Sequence, residues 1–136
     1  GVRIPHQRSL AAHSDGDVAL HALCDAMLGA AALGDIGRHF PPSDPQWENA
    51  NSRDLLRQVN LLLKQEGWTV INTDITLVCE QPQITPHAPQ MQANIAADLD
   101  LDTTDISVKA TTSEGLGFCG RGEGITALAV VLIKSW

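Results

Sequence analysis

The chain has 136 residues, is 43% hydrophobic and carries a formal charge of −7. That length suits one domain able to bury a core without cross-links, and an acidic balance with no basic cluster argues against a nucleic-acid partner. No apolar run reaches membrane-spanning length. Cys24, Cys79 and Cys119 lack C-x-x-C spacing, so a reducing cytoplasm is the expected compartment. A small anionic ligand stays open, because backbone N–H groups, helix N-termini and metal ions hold phosphates without net positive charge.

Residues Val2–Leu10 read as a short extended stretch, with Pro5 placing it at an edge or turn. Gly1 stands where a first residue would be Met, and a further upstream segment is expected. Ser14 is predicted as an N-cap with Asp17 as its capping-box acid, followed by an Ala- and Leu-rich helix over Val18–Leu33 that Gly34 closes. Asp35–Asn49 reads as a loop, long enough to suggest a functional one. Ser52 is predicted to cap a helix over Arg53–Glu66, ended by Gly67. Trp68–Cys79 has the Val, Ile and Thr content of a strand. A link over Glu80–Thr85 leads to a helix from Pro86 to Leu99. Strands over Ile106–Thr111 and Ile125–Ile133 flank the Gly-rich stretch Ser113–Gly124. The order βααβαββ predicts an α+β fold, a small mixed β-sheet covered on one face by three helices.

Four stretches carry candidate chemistry. His13, Asp17 and His21 recur every fourth residue, the spacing of one helix stripe, and two imidazoles with a carboxylate suit a metal or phosphate site. His13 also lies beside a capping serine, where an anion meets free N–H groups. Gly34-Asp35-Ile36-Gly37 reads either as a ligand-approaching turn, with a carboxylate for a ribose hydroxyl, or as a helix end. Lys109–Phe118 ends a strand in hydroxyls, Glu114 and glycines. That composition suits phosphate oxygens and a hard cation, or equally a polar turn, and it is not a Walker sequence. Gly120-Arg121-Gly122-Glu123-Gly124 reads as a salt-bridged turn or, where subunits meet, an anion-binding ring.

In order, Ala12–His21, Leu33–Gly37, Pro86-His87, and Ala110-Thr111-Thr112 through Gly120–Gly124 closely resemble the 2-C-methyl-D-erythritol 2,4-cyclodiphosphate synthase family of the non-mevalonate isoprenoid pathway. The resemblance covers essentially the whole chain. It implies a homotrimer with active sites between subunits, located in a bacterial cytoplasm or a plastid stroma. It implies a cytidine-diphosphate-linked substrate that loses CMP on cyclisation, a Zn2+ ion, and a second Mg2+ or Mn2+ ion.

Residue by residue, His21 matches a zinc ligand and Glu114 a ligand of the second metal. His13 and Thr112 match the transition-state stabilisers. Ser14 joins His13 at the substrate's phosphate end, and Asp35, Ile36 and Gly37 match substrate contacts. Phe40, Pro41, Pro42, Ser43 and Asp44 correspond to an adjoining mobile loop. Cys79, Glu80, Gln81, Pro82, Gln83, Ile84 and Thr85 fall where the family builds a largely main-chain cytosine pocket. Thr111, Thr112 and Ser113 match the phosphate-binding stretch, and Phe118 and Arg121 lie near the phosphate end and the trimer cavity. Two departures stand out: the family's D-x-H zinc pair is expected upstream of Gly1, and Gln83 stands where many relatives carry lysine.

Overall fold

The structure, a computed structural model, describes residues 1–4 and 17–136. The first helix, α1 (Val18–Ala30), begins at Asp17, whose side chain accepts from the Leu20 N–H at 3.0 Å. Asp17 is therefore the N-cap itself and not a capping-box acid beneath Ser14, which lies outside the described residues. The helix closes three residues before the predicted end. Ala32 takes a φ of 57°, and the amides of Ala32 and Leu33 reach back to Gly29 and Leu28 at 3.0 and 2.8 Å. This is a Schellman closure, accompanied as usual by an apolar contact, since Leu33 packs on the core. Ala32 thus takes the left-handed position expected for Gly34.

The predicted loop 35–49 contains a four-residue helix, α2 (Ile36–His39), and a 3-10 turn over Pro45–Trp47. Helix α3 (Ser52–Gln65) is capped by Asn51, whose side chain accepts from the Arg53 N–H at 2.8 Å. Ser52, expected as the cap, is instead the first helical residue and is wholly buried. Strand β1 is Trp68–Val78, and a 3-10 turn over Thr85–His87 absorbs the expected Pro86 start before α4 (Ala88–Leu99). Strand β2 (Ile106–Thr111), a single helical turn α5 (Gly117–Gly120) and strand β3 (Thr126–Ser135) complete the chain.

The sheet order is β2-β1-β3, with β2 parallel and β3 antiparallel to β1. An N-terminal strand was expected, but Val2–Ile4 form none, and the rest of that stretch is outside the described residues. A register shift between Val70 and Asn72 lets Val70 and Thr73 both face inward although they are three apart. Helices α1, α3 and α4 pack on one sheet face, and their Leu23, Met27, Leu56, Leu63 and Ile95 share one core with Ile75 of β1. Among the described residues, no helix is long and apolar enough to cross a membrane.

Helices α3 and α4 are pinned by one carboxylate. Asp98, its side chain 3% exposed, accepts from Arg53 at 2.8 and 2.9 Å and from Arg57 at 2.7 Å. Asp98→Ala is expected to cost about 2–3 kcal/mol, because charge-assisted bonds are the strong ones while the half-exposed arginines regain water. A shifted urea midpoint at constant slope measures it, and a loss below about 1 kcal/mol would rank the group with surface pairs.

All three cysteines are free and buried. Burial first, then the charges of Asp25 and Asp17, pushes the Cys24 thiol well above its ordinary range. Burial likewise raises Cys79. A raised thiol holds its proton at pH 8, so both are expected to resist iodoacetamide in the native protein and react after denaturation.

Candidate functional site

Parallel pairing places the carboxyl ends of β1 and β2 side by side, and the antiparallel strand brings the start of β3 to the same end. Val78 lies opposite both Thr111 and Thr126. Loops leaving two adjacent parallel strands at their carboxyl ends form a natural ligand crevice.

The first of these loops opens with the Cys79 amide donating to the Thr111 carbonyl at 3.0 Å, and it passes through a cis Gln81–Pro82 peptide. Cys79 and Ile84 are buried, and Ile84 belongs to the core. The side chains of these two residues are therefore taken up by packing. The Ile84 carbonyl accepts from the His87 amide at 2.8 Å, and the Cys79 thiol lies 3.7 Å from the Pro82 carbonyl.

The second loop is a tight polar turn. The Thr111 hydroxyl donates to the Thr112 carbonyl at 3.3 Å, and the Glu114 amide donates to Thr112 Oγ1 at 3.2 Å. Glu114 and Gly115 take left-handed φ values of 54° and 78°. Gly120 meets this turn so closely that a Cβ there would stand 2.1 Å from the Gly115 carbonyl carbon. The two loops are joined by Glu80, whose Oε1 accepts from the Gly115 amide at 3.0 Å. Ser113 Oγ lies 3.3 Å from the same oxygen and 2.7 Å from the Leu116 carbonyl, so its one proton serves one acceptor at a time.

A second group of candidates lies along α1. His21 Nε2 lies 3.1 Å from Ser52 Oγ at the start of α3. One turn further, Asp25 accepts from the Ile36 amide at 2.7 Å, and Asp35 caps α2 by accepting from the Arg38 amide at 2.9 Å. The described part of the polar stripe thus continues from His21 to Asp25. Asp25 was not read from the sequence, although its spacing of four from His21 was the available signal. Gly37 lies beside Asp35, where a Cβ would stand 3.6 Å from the carboxylate. His13 and Ser14 lie outside the described residues.

The remaining candidates are tied locally. Phe40 meets Trp47 edge-on with ring centroids 4.8 Å apart, and Pro41 accepts from the Asp44 amide at 3.0 Å. Asp44 caps the next turn through the Gln46 amide at 3.1 Å. Phe118 is half exposed, with its ring against Gly124. Arg121 and Glu123 form a two-pronged pair at 2.7 and 3.2 Å, the salt-bridged turn among the readings of that segment.

No group of three or more His, Cys, Asp or Glu side chains gathers among the described residues as a metal site. His21 suits zinc and Glu114 suits a harder divalent ion, but each is a single donor, so the described residues alone do not complete either site.

Fold and loop arrangement define a small mixed-sheet α+β protein with a candidate crevice at the carboxyl ends of paired parallel strands. The chain belongs to the YgbB family, whose model matches residues 1–134. It is 59% identical over 133 residues to the 2-C-methyl-D-erythritol 2,4-cyclodiphosphate synthase of Xanthomonas oryzae pv. oryzae, covering 98% of this chain and 82% of the relative. The synthase of Saccharophagus degradans is 61% identical over 134 residues, covering 98% and 86%. Among solved structures, the bifunctional IspDF of Campylobacter jejuni superposes with a TM-score of 0.96 at 48% identity. All of this chain matches 37% of that longer one. The CDP complex of Plasmodium falciparum IspF gives a TM-score of 0.82 at 34% identity, covering 92% of this chain and 75% of its own.

Proposed function

We infer that the protein converts 4-diphosphocytidyl-2-C-methyl-D-erythritol 2-phosphate into 2-C-methyl-D-erythritol 2,4-cyclodiphosphate and CMP. The observation that carries this is identity of 59% and 61%, over 98% of the chain, to relatives named for that product. In the reaction an oxygen of the 2-phosphate bonds to the β-phosphorus. The bond from that phosphorus to the CMP oxygen breaks, and its electron pair leaves with CMP. No protein nucleophile is needed; the demands are holding two anionic ends together and balancing charge as CMP departs.

The residues divide these tasks. Main-chain groups of Cys79–Thr85 hold the cytosine, with Gln83 adding no cationic grip on the phosphates. Asp35, Ile36 and Gly37 meet the substrate on a turn that Asp25 fixes. Thr111 and Thr112 place hydroxyls at the phosphates from the end of β2, while His13 and Ser14 meet the methylerythritol phosphate end. Phe118 and Arg121 flank that end. When bound, Zn2+ at His21 and Mg2+ or Mn2+ at Glu114 neutralise phosphate charge as Lewis acids.

The working form is a homotrimer with sites between subunits. Support comes from the sheet face opposite the helices: Leu128, Val130 and Leu132 of β3 are 59%, 70% and 55% exposed. An apolar row of this kind on one strand face is suited to burial against other copies. The compartment is a bacterial cytoplasm or plastid stroma.

Incubation of the full-length protein with substrate, zinc and Mg2+ or Mn2+, followed by phosphorus NMR, tests the reading. CMP and a cyclic diphosphate in equal amounts are expected. Well-folded, metal-loaded protein that yields neither overturns it.

A further inference from the structure

We propose that Glu80 is a positioning residue for the phosphate-binding turn, tying the nucleotide-side loop after β1 to the Thr112–Gly115 turn after β2. The proposal rests on the roles assigned above to Thr112 and Glu114.

Glu114 is not glycine yet holds a φ of 54°, a left-handed conformation that costs an ordinary residue roughly 1–2 kcal/mol. Such a turn persists only when its surroundings hold it. Three hydrogen bonds do so directly: the Leu116 amide on the Ser113 carbonyl at 3.1 Å, the Glu114 amide on Thr112 Oγ1 at 3.2 Å and the Gly115 amide on Glu80 Oε1 at 3.0 Å. The first two come from within the turn and shape it. The third comes from a residue 35 positions away on the neighbouring loop and sets the turn's place in the fold. The Ser113 hydroxyl, 3.3 Å from the same oxygen, converges on this anchor.

The chemistry also separates positioning from contact. An ionised carboxylate repels a phosphate, so direct contact between Glu80 and the substrate's diphosphate is unfavourable. As acceptor for a backbone amide, the same carboxylate forms a strong charge-assisted bond. A Gln side chain offers an oxygen at the same place; Ala offers none.

The test uses Glu80→Ala and Glu80→Gln in the full-length protein. In Glu80→Ala, the Gly115 amide is expected to exchange with solvent about tenfold faster and kcat to fall about tenfold, the scale of losing a supporting hydrogen bond behind a site. CDP affinity by calorimetry should stay within about twofold. Glu80→Gln should recover amide protection and most of kcat. An unchanged kcat in Glu80→Ala overturns the proposal, and so does equal loss of CDP affinity in both variants, which would make the carboxylate a nucleotide contact. If the parent protein makes no cyclic product, the proposed reaction fails instead, and the amide-exchange result still reports whether Glu80 anchors the turn.

Discussion

His21→Ala is expected to yield a folded protein retaining less than about a tenth of the parent's zinc, with turnover reduced at least as far. A catalytic zinc site uses three protein ligands, and losing one leaves too few donors to compete with water. The local structural cost is small by comparison. His21 sits at the start of α1, and its contact to Ser52 Oγ at 3.1 Å contributes about 1 kcal/mol. Zinc by elemental mass spectrometry and a melting curve separate the two effects. Zinc content equal to the parent's, with activity lost, would remove His21 from the ligand set.

Thr112→Ala is expected to do the reverse: zinc and melting temperature close to those of the parent, and kcat lowered about a hundredfold, as for loss of one group aimed at developing charge. Thr112 follows the last residue of β2 and is exposed, so its hydroxyl packs against no core. Its known duty is to accept from the Glu114 amide at 3.2 Å, and Thr112→Ser keeps that oxygen. The serine variant should therefore recover most of the loss. Failure of serine to rescue, or a fall in CDP affinity matching the fall in kcat, would contradict a role in the chemical step.

These two positions also mark what the sequence made legible. The His21 signal was local, an i, i+4 stripe at the start of an Ala-rich helix, and Thr112 stood in a strand ending in hydroxyls. Local signals misled where neighbours compete. Asn51 and Ser52 are both good N-caps, and packing decided between them by burying Ser52 against His21. Gly34 looked like the helix terminator, but Leu33 gains core contact if the chain turns at Ala32. Glu80 was read only as part of a pocket wall, because its tie to Gly115 depends on two parallel strands ending in register. β3 is apolar at nearly every position, so alternation did not say which row faces the helices. Only the pairing of Ala129 with buried Ile75, and of Val130 with Asp74, assigns the faces.

The central claim is that the substrate's own phosphate, not water, attacks the β-phosphorus. Running the reaction in 18O-labelled water and weighing both products tests it most directly. Intramolecular attack predicts a cyclic diphosphate and CMP that both carry no label from solvent. A linear product, or 18O in either product, would make the protein a hydrolase and contradict the account.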